Sequence, residues 1–381
     1  MPPPSSADHL PSHQPAARQR PKSPDRLLAE AEAQWLFSEQ ELLHTPSVQH
    51  GMAPEKEKEI RAKGINFIRQ VGIMLKLPEL TLSTAAIFFN RFLMRVSLVD
   101  RPNQKALHHY TLGATALFLA TKVEESCRKM KDLVVACCRV AQKNPNLLID
   151  EQSKDFWKWR DTILLNEDVL LEVLCFDLTI EAPHKQLYEM LKYYNVHHNK
   201  PLRNAAWAFV TDSNITQLCL LCSSHTIAAA ALYSAARYCN VAFPDSDGRP
   251  WWHVQHVSLD DILKACNYMA ANYEHVPIRP GHEDAQTIYV RFDQDSDGDA
   301  TRLSSEQAIT SPSAPILHQS QETSVNGHTS KIHHLDPPHD DRAVKKRRTS
   351  DSATAPTSVP HHAAASRTVE SHGSEEGEVE G

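Results

Sequence analysis

The segment Thr111–Glu125, TLGATALFLATKVEE, constrains the fold more than any other stretch of the chain. Small residues and large apolar residues occur on every face of its helical projection, and few of its residues are polar. Alanine and leucine favour a helix over a strand, and a helix that is apolar all round is surrounded by other elements. The segment ends in charge, at Lys122, Glu124 and Glu125. We therefore expect a central buried helix whose last turn reaches the surface.

A second copy of this helix lies further along the chain. The segment TIAAAALYSAAR, which begins at Thr226, aligns without a gap beneath TLGATALFLATK, which begins at Thr111. Threonine, leucine and several alanines are identical, and each segment is the third in a similar run of helical segments. The sequence therefore indicates an internal duplication of an all-helical unit, each copy built around one buried helix.

The two ends of the chain differ in composition from its middle. Of the 24 prolines, seven lie before Asp25 and seven after Pro277. Both ends are also rich in serine, histidine and charge and have few periodic apolar residues. Such segments bury too little apolar surface to fold, so we expect disorder in residues 1–24 and 278–381.

Between these ends the apolar residues follow helical spacing, and no strand pattern persists. Residues 25–53 predict an N-terminal helix, a docking segment with Trp35, and a capping box at Ser38-Glu-Gln-Glu41. Residues 54–180 predict five helices, and residues 181–277 predict four. The predicted fold class is therefore all-α, with two helical bundles in tandem and disordered tails.

Composition and motifs exclude several classes of function. The net charge is −7 and the sequence has no basic stripe, so direct nucleic-acid binding is not expected. No apolar run approaches the ~20 residues of a membrane span, and the N-terminus lacks a signal-peptide core. The sequence has no phosphate-binding glycine loop and no catalytic triad or dyad. We therefore expect neither an enzyme nor a bound cofactor.

Two motifs have the spacing of metal sites but lack the remaining ligands. Cys219-Leu-Leu-Cys222 has no second pair and no flanking histidines, and its apolar context favours packing in a core. Asp293–Gly298 copies the start of a calcium loop, but the twelfth position, which requires a bidentate glutamate, is Ser304. We predict no metal at either motif.

A compact basic run lies in the C-terminal tail at Lys345, Lys346, Arg347 and Arg348. Runs of this kind are typical of nuclear import signals, although a solvated charge cluster is the alternative. The eight cysteines have no disulfide-framework spacing, which indicates a reducing compartment. The sequence thus predicts a nuclear protein.

Several motifs, taken in order, resemble those of a known family. FLATKVEE resembles the end of the central helix of the cyclin box, and FFNRFL and LLNEDVLLEVLCFDL are similar to its flanking signatures. WLFSEQEL, HTPS and GRPWW are similar to segments of transcriptional cyclins of the K and T type. The resemblance covers about Trp35 to Pro277, which includes both repeats and neither tail. It implies two cyclin boxes, at 54–180 and 181–277.

The resemblance also implies a function. The chain is expected to be a regulatory subunit that binds and activates a cyclin-dependent kinase, which phosphorylates the C-terminal domain of RNA polymerase II. The kinase supplies the ATP site and the chemistry. The alternative is a factor of the transcription factor IIB type, which shares tandem helical repeats of this shape but binds nucleic acid or polymerase without a kinase.

The family's kinase-binding residues can be placed on three positions of this sequence. Cyclins hold a kinase helix with the charged end of the central helix and a glutamate of the fifth helix, which here are Lys122 and Glu167; Glu125 is a third candidate. A lysine donates to carbonyls at a helix end, and a carboxylate accepts from amides. The alternative is that these charges form a solvated helix end.

Three further positions bear on the resemblance. Arg61 matches an arginine of the family's first helix and is expected to be structural. Asn90 stands where many cyclins carry aspartate, which weakens any ion pair there. Ile60–Gly64 places a charge and a glycine where cell-cycle cyclins have an apolar substrate-docking patch, so docking of substrates by that route is not expected.

Overall fold

The structure of this chain is a computed structural model that describes residues 23–102, 105–273, 289–292 and 301–303. The ranges predicted to be disordered, 1–24 and 278–381, lie largely outside these residues. The helices of the described ranges are α1 Pro24–Ala33, α2 Glu39–Leu43, α3 Pro46–Gln49, α4 Pro54–Met74, α5 Glu79–Leu93, α6 His109–Val123, α7 Met130–Ala141, α8 Lys154–Val173, α9 Pro183–Tyr193, α10 Lys200–Ser213, α11 Leu218–Leu221, α12 Ser224–Cys239, α13 Trp251–Val254 and α14 Leu259–Tyr273.

The first bundle packs around α6. This helix contacts α4, α5 and α8, and Leu112, Ala114 and Ala120 on different faces of it are fully buried. A Cβ on Gly113 would lie only 3.2 Å from the carbonyl oxygen of Gly64 on α4, so glycine allows these two helices to approach closely. The predicted central buried helix is confirmed.

The second bundle packs around α12 in the same manner. This helix contacts α9, α10 and α14, and the run Ala228–Ala231 has no exposed surface. The buried apolar side chains of the described residues form two clusters, one drawn mainly from α4–α8 and the other mainly from α9–α14. The sequence predicted an all-helical fold with a buried helix in each repeat, and the described residues are helical apart from loops and one pair of two-residue strands.

The N-terminal segment begins its helices with capping side chains. Ser38 accepts from the backbone N–H of Glu41, and the Glu41 carboxylate accepts from the backbone N–H of Ser38 at 2.8 Å, so the predicted capping box is present. These hydrogen bonds favour the carboxylate and lower the pKa of Glu41.

Trp35 docks this segment onto the first bundle. Its side chain is 1% exposed, and its indole N–H donates to Asp177 Oδ2 at 2.8 Å. The guanidinium groups of Arg91 and Arg95 each lie 4.8 Å from its ring centroid. The two arginines add cation–π contacts to the buried tryptophan.

Two short segments beyond residue 277 pack on the second bundle, although the predicted bundle ended there. Phe292 is 7% exposed, and the Asn267 side chain exchanges two hydrogen bonds with its backbone, at 2.8 and 3.0 Å. The strand β2, Arg302–Leu303, pairs in parallel with β1, Phe243–Pro244. Segments of two to four residues carry no periodicity, which is why the sequence did not predict them.

Candidate functional site

The structure brings Lys122 and Glu167 together at the surface of the first bundle. Lys122 lies in the last turn of α6, and its Nζ is 2.6 and 2.8 Å from the two carboxylate oxygens of Glu167 on α8. The ammonium also lies 4.2 Å from the ring centroid of Phe118, one turn earlier. The Lys122 side chain remains 45% exposed, whereas that of Glu167 is 13% exposed. Because an ammonium has three donors, Lys122 retains donor capacity towards solvent.

Glu125 does not join this pair. It follows the end of α6 with φ at +50°, a left-handed conformation that turns the chain away from the helix axis, and its side chain is exposed. The neighbouring Glu124 accepts a hydrogen bond from the Thr84 hydroxyl at 2.6 Å and so ties the end of α6 to α5. The two glutamates therefore differ: Glu124 is held within the bundle and Glu125 faces solvent.

Several apolar side chains in and just after α8 are exposed. Leu164, one turn before Glu167, is 37% exposed, and Leu165 and Val169 are 74% and 44% exposed. Phe176, just after the helix, is 70% exposed. Of these, Leu164 is on the side of α8 that carries Glu167, whereas Leu165 and Val169 lie on the opposite side. Helical periodicity alone did not distinguish these residues from the core residues of the same helix.

Arg61 lies in a buried polar network rather than at the surface. Its side chain donates to Glu57 Oε1 at 2.5 Å and to Asn90 Oδ1 at 2.7 Å. The Thr45 hydroxyl donates to the second oxygen of Glu57. The Asn90 amide also reaches the carbonyl of Thr216 at 3.3 Å, beyond α10 in the second repeat. Arg61 thus links α4 to α5 and, through Asn90, to the other repeat.

The cysteines of the sequence motif pack in apolar surroundings. Cys222 is 7% exposed and belongs to the core of the second bundle, and Cys219 packs against that core. Burial raises the pKa of Cys219 to about 11 and that of Cys222 to about 12.

Across the described residues, no group of three histidine, cysteine or acidic side chains is arranged to hold a metal ion. In the same part of the chain, no helix has the length and apolar character to cross a membrane.

Known proteins are similar to this chain in sequence and in fold. Residues 32–179 match the family described as Cyclin, N-terminal domain. The chain is 38% identical over 305 residues to Cyclin pch1 of Schizosaccharomyces pombe, and the match covers 80% of this chain and 85% of that protein. The chain is a cyclin. The alternative of a transcription factor IIB-type protein is not favoured, since these relatives are cyclins.

More distant relatives identify the branch of the family. Cyclin-T1-3 of Oryza sativa subsp. japonica is 32% identical over 65% of this chain and 50% of that protein. Cyclin-K of Homo sapiens is 34% identical over 63% of this chain and 40% of that protein. This cyclin therefore spans about half or less of these two relatives. The predicted resemblance to transcriptional cyclins of the K and T type is confirmed, and the chain is a regulatory subunit rather than a catalytic one.

The fold of this cyclin also resembles a solved structure. A chain of the yeast RNA Pol II CTD kinase CTDK-1 complex superposes with a TM-score of 0.52 at 16% identity, over 65% of this chain and 76% of that one. At this level of identity the likeness concerns the fold.

Proposed function

We propose that this cyclin binds and activates a cyclin-dependent kinase that phosphorylates the C-terminal domain of RNA polymerase II, and that Lys122, Glu125 and Glu167 contact the kinase. The observation that carries the proposal is the ion pair between Lys122 and Glu167, at 2.6 Å, in which the lysine stays 45% exposed, one helical turn from the 37% exposed side chain of Leu164. Charged groups within an apolar surface provide orientation and specificity, while the apolar groups provide burial.

The geometry suits a helix of the partner. The last carbonyls of a helix have no partner within the helix, and the free donor capacity of Lys122 matches them. Glu167 holds the lysine in place through both carboxylate oxygens and so reduces the side-chain entropy that binding would otherwise cost. Leu164 lies one turn before Glu167 on the same side of α8, where the partner can also cover it.

The activation mechanism is allosteric. A cyclin-dependent kinase is active when one of its helices swings in and a glutamate on that helix pairs with the catalytic lysine. A protein that binds this conformation more tightly than the inactive one shifts the equilibrium towards activity by its difference in affinity. The kinase performs the phosphoryl transfer, and the cyclin supplies only this difference.

The experiment that tests the function is a reconstitution. The tagged chain, expressed in its own cells, should co-purify with a kinase. That kinase should phosphorylate a peptide of repeated RNA polymerase II C-terminal heptads only when the cyclin is present. A scrambled peptide of the same composition is the control. A co-purifying kinase that is equally active without the cyclin, or the absence of any kinase, would contradict the proposal.

We further infer that the two cyclin boxes are residues 54–180 and 181–277, with the second box completed by the segments at 289–292 and 301–303. The separate clusters of buried apolar side chains support two boxes. The buried side chains of Phe292 and Thr301 support the extension.

Nuclear location is part of the same proposal. Lys345, Lys346, Arg347 and Arg348 lie outside the described residues, and we infer from their sequence that they form the import signal. Replacing all four by alanine should move a fluorescent fusion of the chain from the nucleus towards the cytoplasm. The same replacement of the exposed Lys154 and Lys158 serves as the control. An unchanged nuclear signal would rule out this assignment.

A further inference from the structure

A groove of about 820 Å³ lies between the two repeats. The first repeat contributes α4 and α5 to its wall, and the second contributes α9 and α10. We call it the inter-repeat groove and define it by the side chains that the argument uses: Arg69, Leu80, His184, Tyr188, Arg203 and Trp207. None of its residues lies on α6 or α8, so it is separate from the surface proposed to bind the kinase.

A buried polar atom in this groove lacks a partner. His184 is 1% exposed, and its Nε2 lies 3.3 Å from the Thr211 hydroxyl. Its Nδ1 has no hydrogen-bond partner in the described part of the chain. Burial, with a smaller contribution from Arg69, lowers the pKa of His184 to about 4, so the ring is neutral near pH 7. The neutral ring adds no charge to the base of the groove.

The groove also exposes large apolar side chains. Trp207 is 36% exposed, Tyr188 is 42% exposed and Leu80 is 37% exposed. The ring of Trp207 lies 4.6 Å from that of His184, with their planes at 58°, so the tryptophan is supported from beneath. Aromatic side chains held in place in this way are the residues that most often dominate a protein interface.

The rim of the groove is positively charged. Arg69, Lys185 and Arg203 line it, whereas Asp212 is the carboxylate in the lining. The Tyr289 hydroxyl donates to Asp212, and burial raises the pKa of its carboxyl group. Glu79 is 4.0 Å from Arg69 at the edge. An excess of positive charge on a chain whose net charge is −7 favours an acidic ligand.

We propose that the inter-repeat groove binds an extended acidic peptide of a partner protein. An aromatic or leucine side chain of the peptide packs on Trp207 and Tyr188, and its carboxylates face the basic rim. A peptide fits better than RNA because much of the groove is apolar and only three cations line it.

The test uses the full chain and a phage library of random peptides of about 12 residues, long enough when extended to cross the groove. Peptides are selected on the wild-type chain after depletion on Trp207→Ala, then measured by fluorescence anisotropy. We expect acidic residues around an aromatic or leucine residue. Trp207→Ala and Arg203→Glu should each weaken binding about tenfold or more, and added salt should weaken it further.

Tyr238→Ala is the matched control, because Tyr238 is an aromatic residue 42% exposed on α12, outside the groove. This variant should bind the peptides normally, and both groove variants should still stimulate the kinase. The proposal is overturned if selection yields no enriched peptides, if those selected have no excess of acidic residues, or if they bind Trp207→Ala as well as wild type. Binding of polyuridine RNA that depends on Trp207 would also overturn it.

Discussion

Lys122→Glu should weaken kinase binding by about 2–5 kcal/mol, a loss of roughly thirtyfold or more, because it replaces a donor by a charge that repels the partner's carbonyls. In the wild type, Glu167 accepts from Lys122 at 2.6 Å, so the substitution also places a second carboxylate beside that of Glu167. The fold should nevertheless persist, because the substituted side chain is 45% exposed and ion pairs at the surface contribute only about 0–1 kcal/mol. The measurements are the kinase dissociation constant and a thermal melt of the cyclin alone.

The chain offers a matched control and an informative double variant. Lys131→Glu reverses another surface ion pair, in which Lys131 Nζ lies 3.3 Å from Glu151, and should bind the kinase normally. Glu167→Lys should weaken binding as Lys122→Glu does. Combining the two restores an ion pair within the cyclin but should not restore binding, because each residue is also expected to contact the kinase. Normal binding by both single variants would refute the docking role.

The sequence pointed to the charged residues of this candidate site but not to the exposed apolar residues of α8. Lys122 and Glu167 are far apart in the chain, and the resemblance to cyclins assigned both, but only the fold shows that one holds the other. Leu165 and Val169 were not recognised as surface residues, because apolar residues at helical spacing satisfy a core and an interface equally well. Whether these residues face the core or the surface depends on how α8 packs against α6, and the local sequence does not determine that packing.

The central helices were predictable for a different reason. A helix with alanine, glycine and leucine on every face has no polar face to expose to solvent. Its burial can therefore be predicted from its composition. The inter-repeat groove gave no such signal, because its residues come from four helices in two repeats. His184 looks like any other histidine in the sequence, and only its burial and its unpartnered Nδ1 single it out.

Arg61→Ala should cost about 3–5 kcal/mol of folding free energy, because breaking a buried ion pair leaves an uncompensated charge. Glu57 would keep only the Thr45 hydroxyl as a partner, at 3% exposure. Asn90 would lose the guanidinium that fixes its orientation while it still contacts the second repeat at Thr216. The substitution should therefore weaken the connection between the repeats as well as the first bundle.

Urea denaturation of the purified variants measures this effect. Lys63→Ala on the same helix is the matched control: its ammonium pairs with Glu59 at 2.6 Å, also four residues apart, but its side chain is 50% exposed. The control should unfold close to the wild-type midpoint, since water replaces an exposed partner at little cost. Arg61→Lys should recover part of the loss, because a lysine can still pair with Glu57 but cannot also reach Asn90 with a planar fork. If Arg61→Ala unfolds at the same urea concentration as Lys63→Ala, Arg61 does not have the structural role proposed for it.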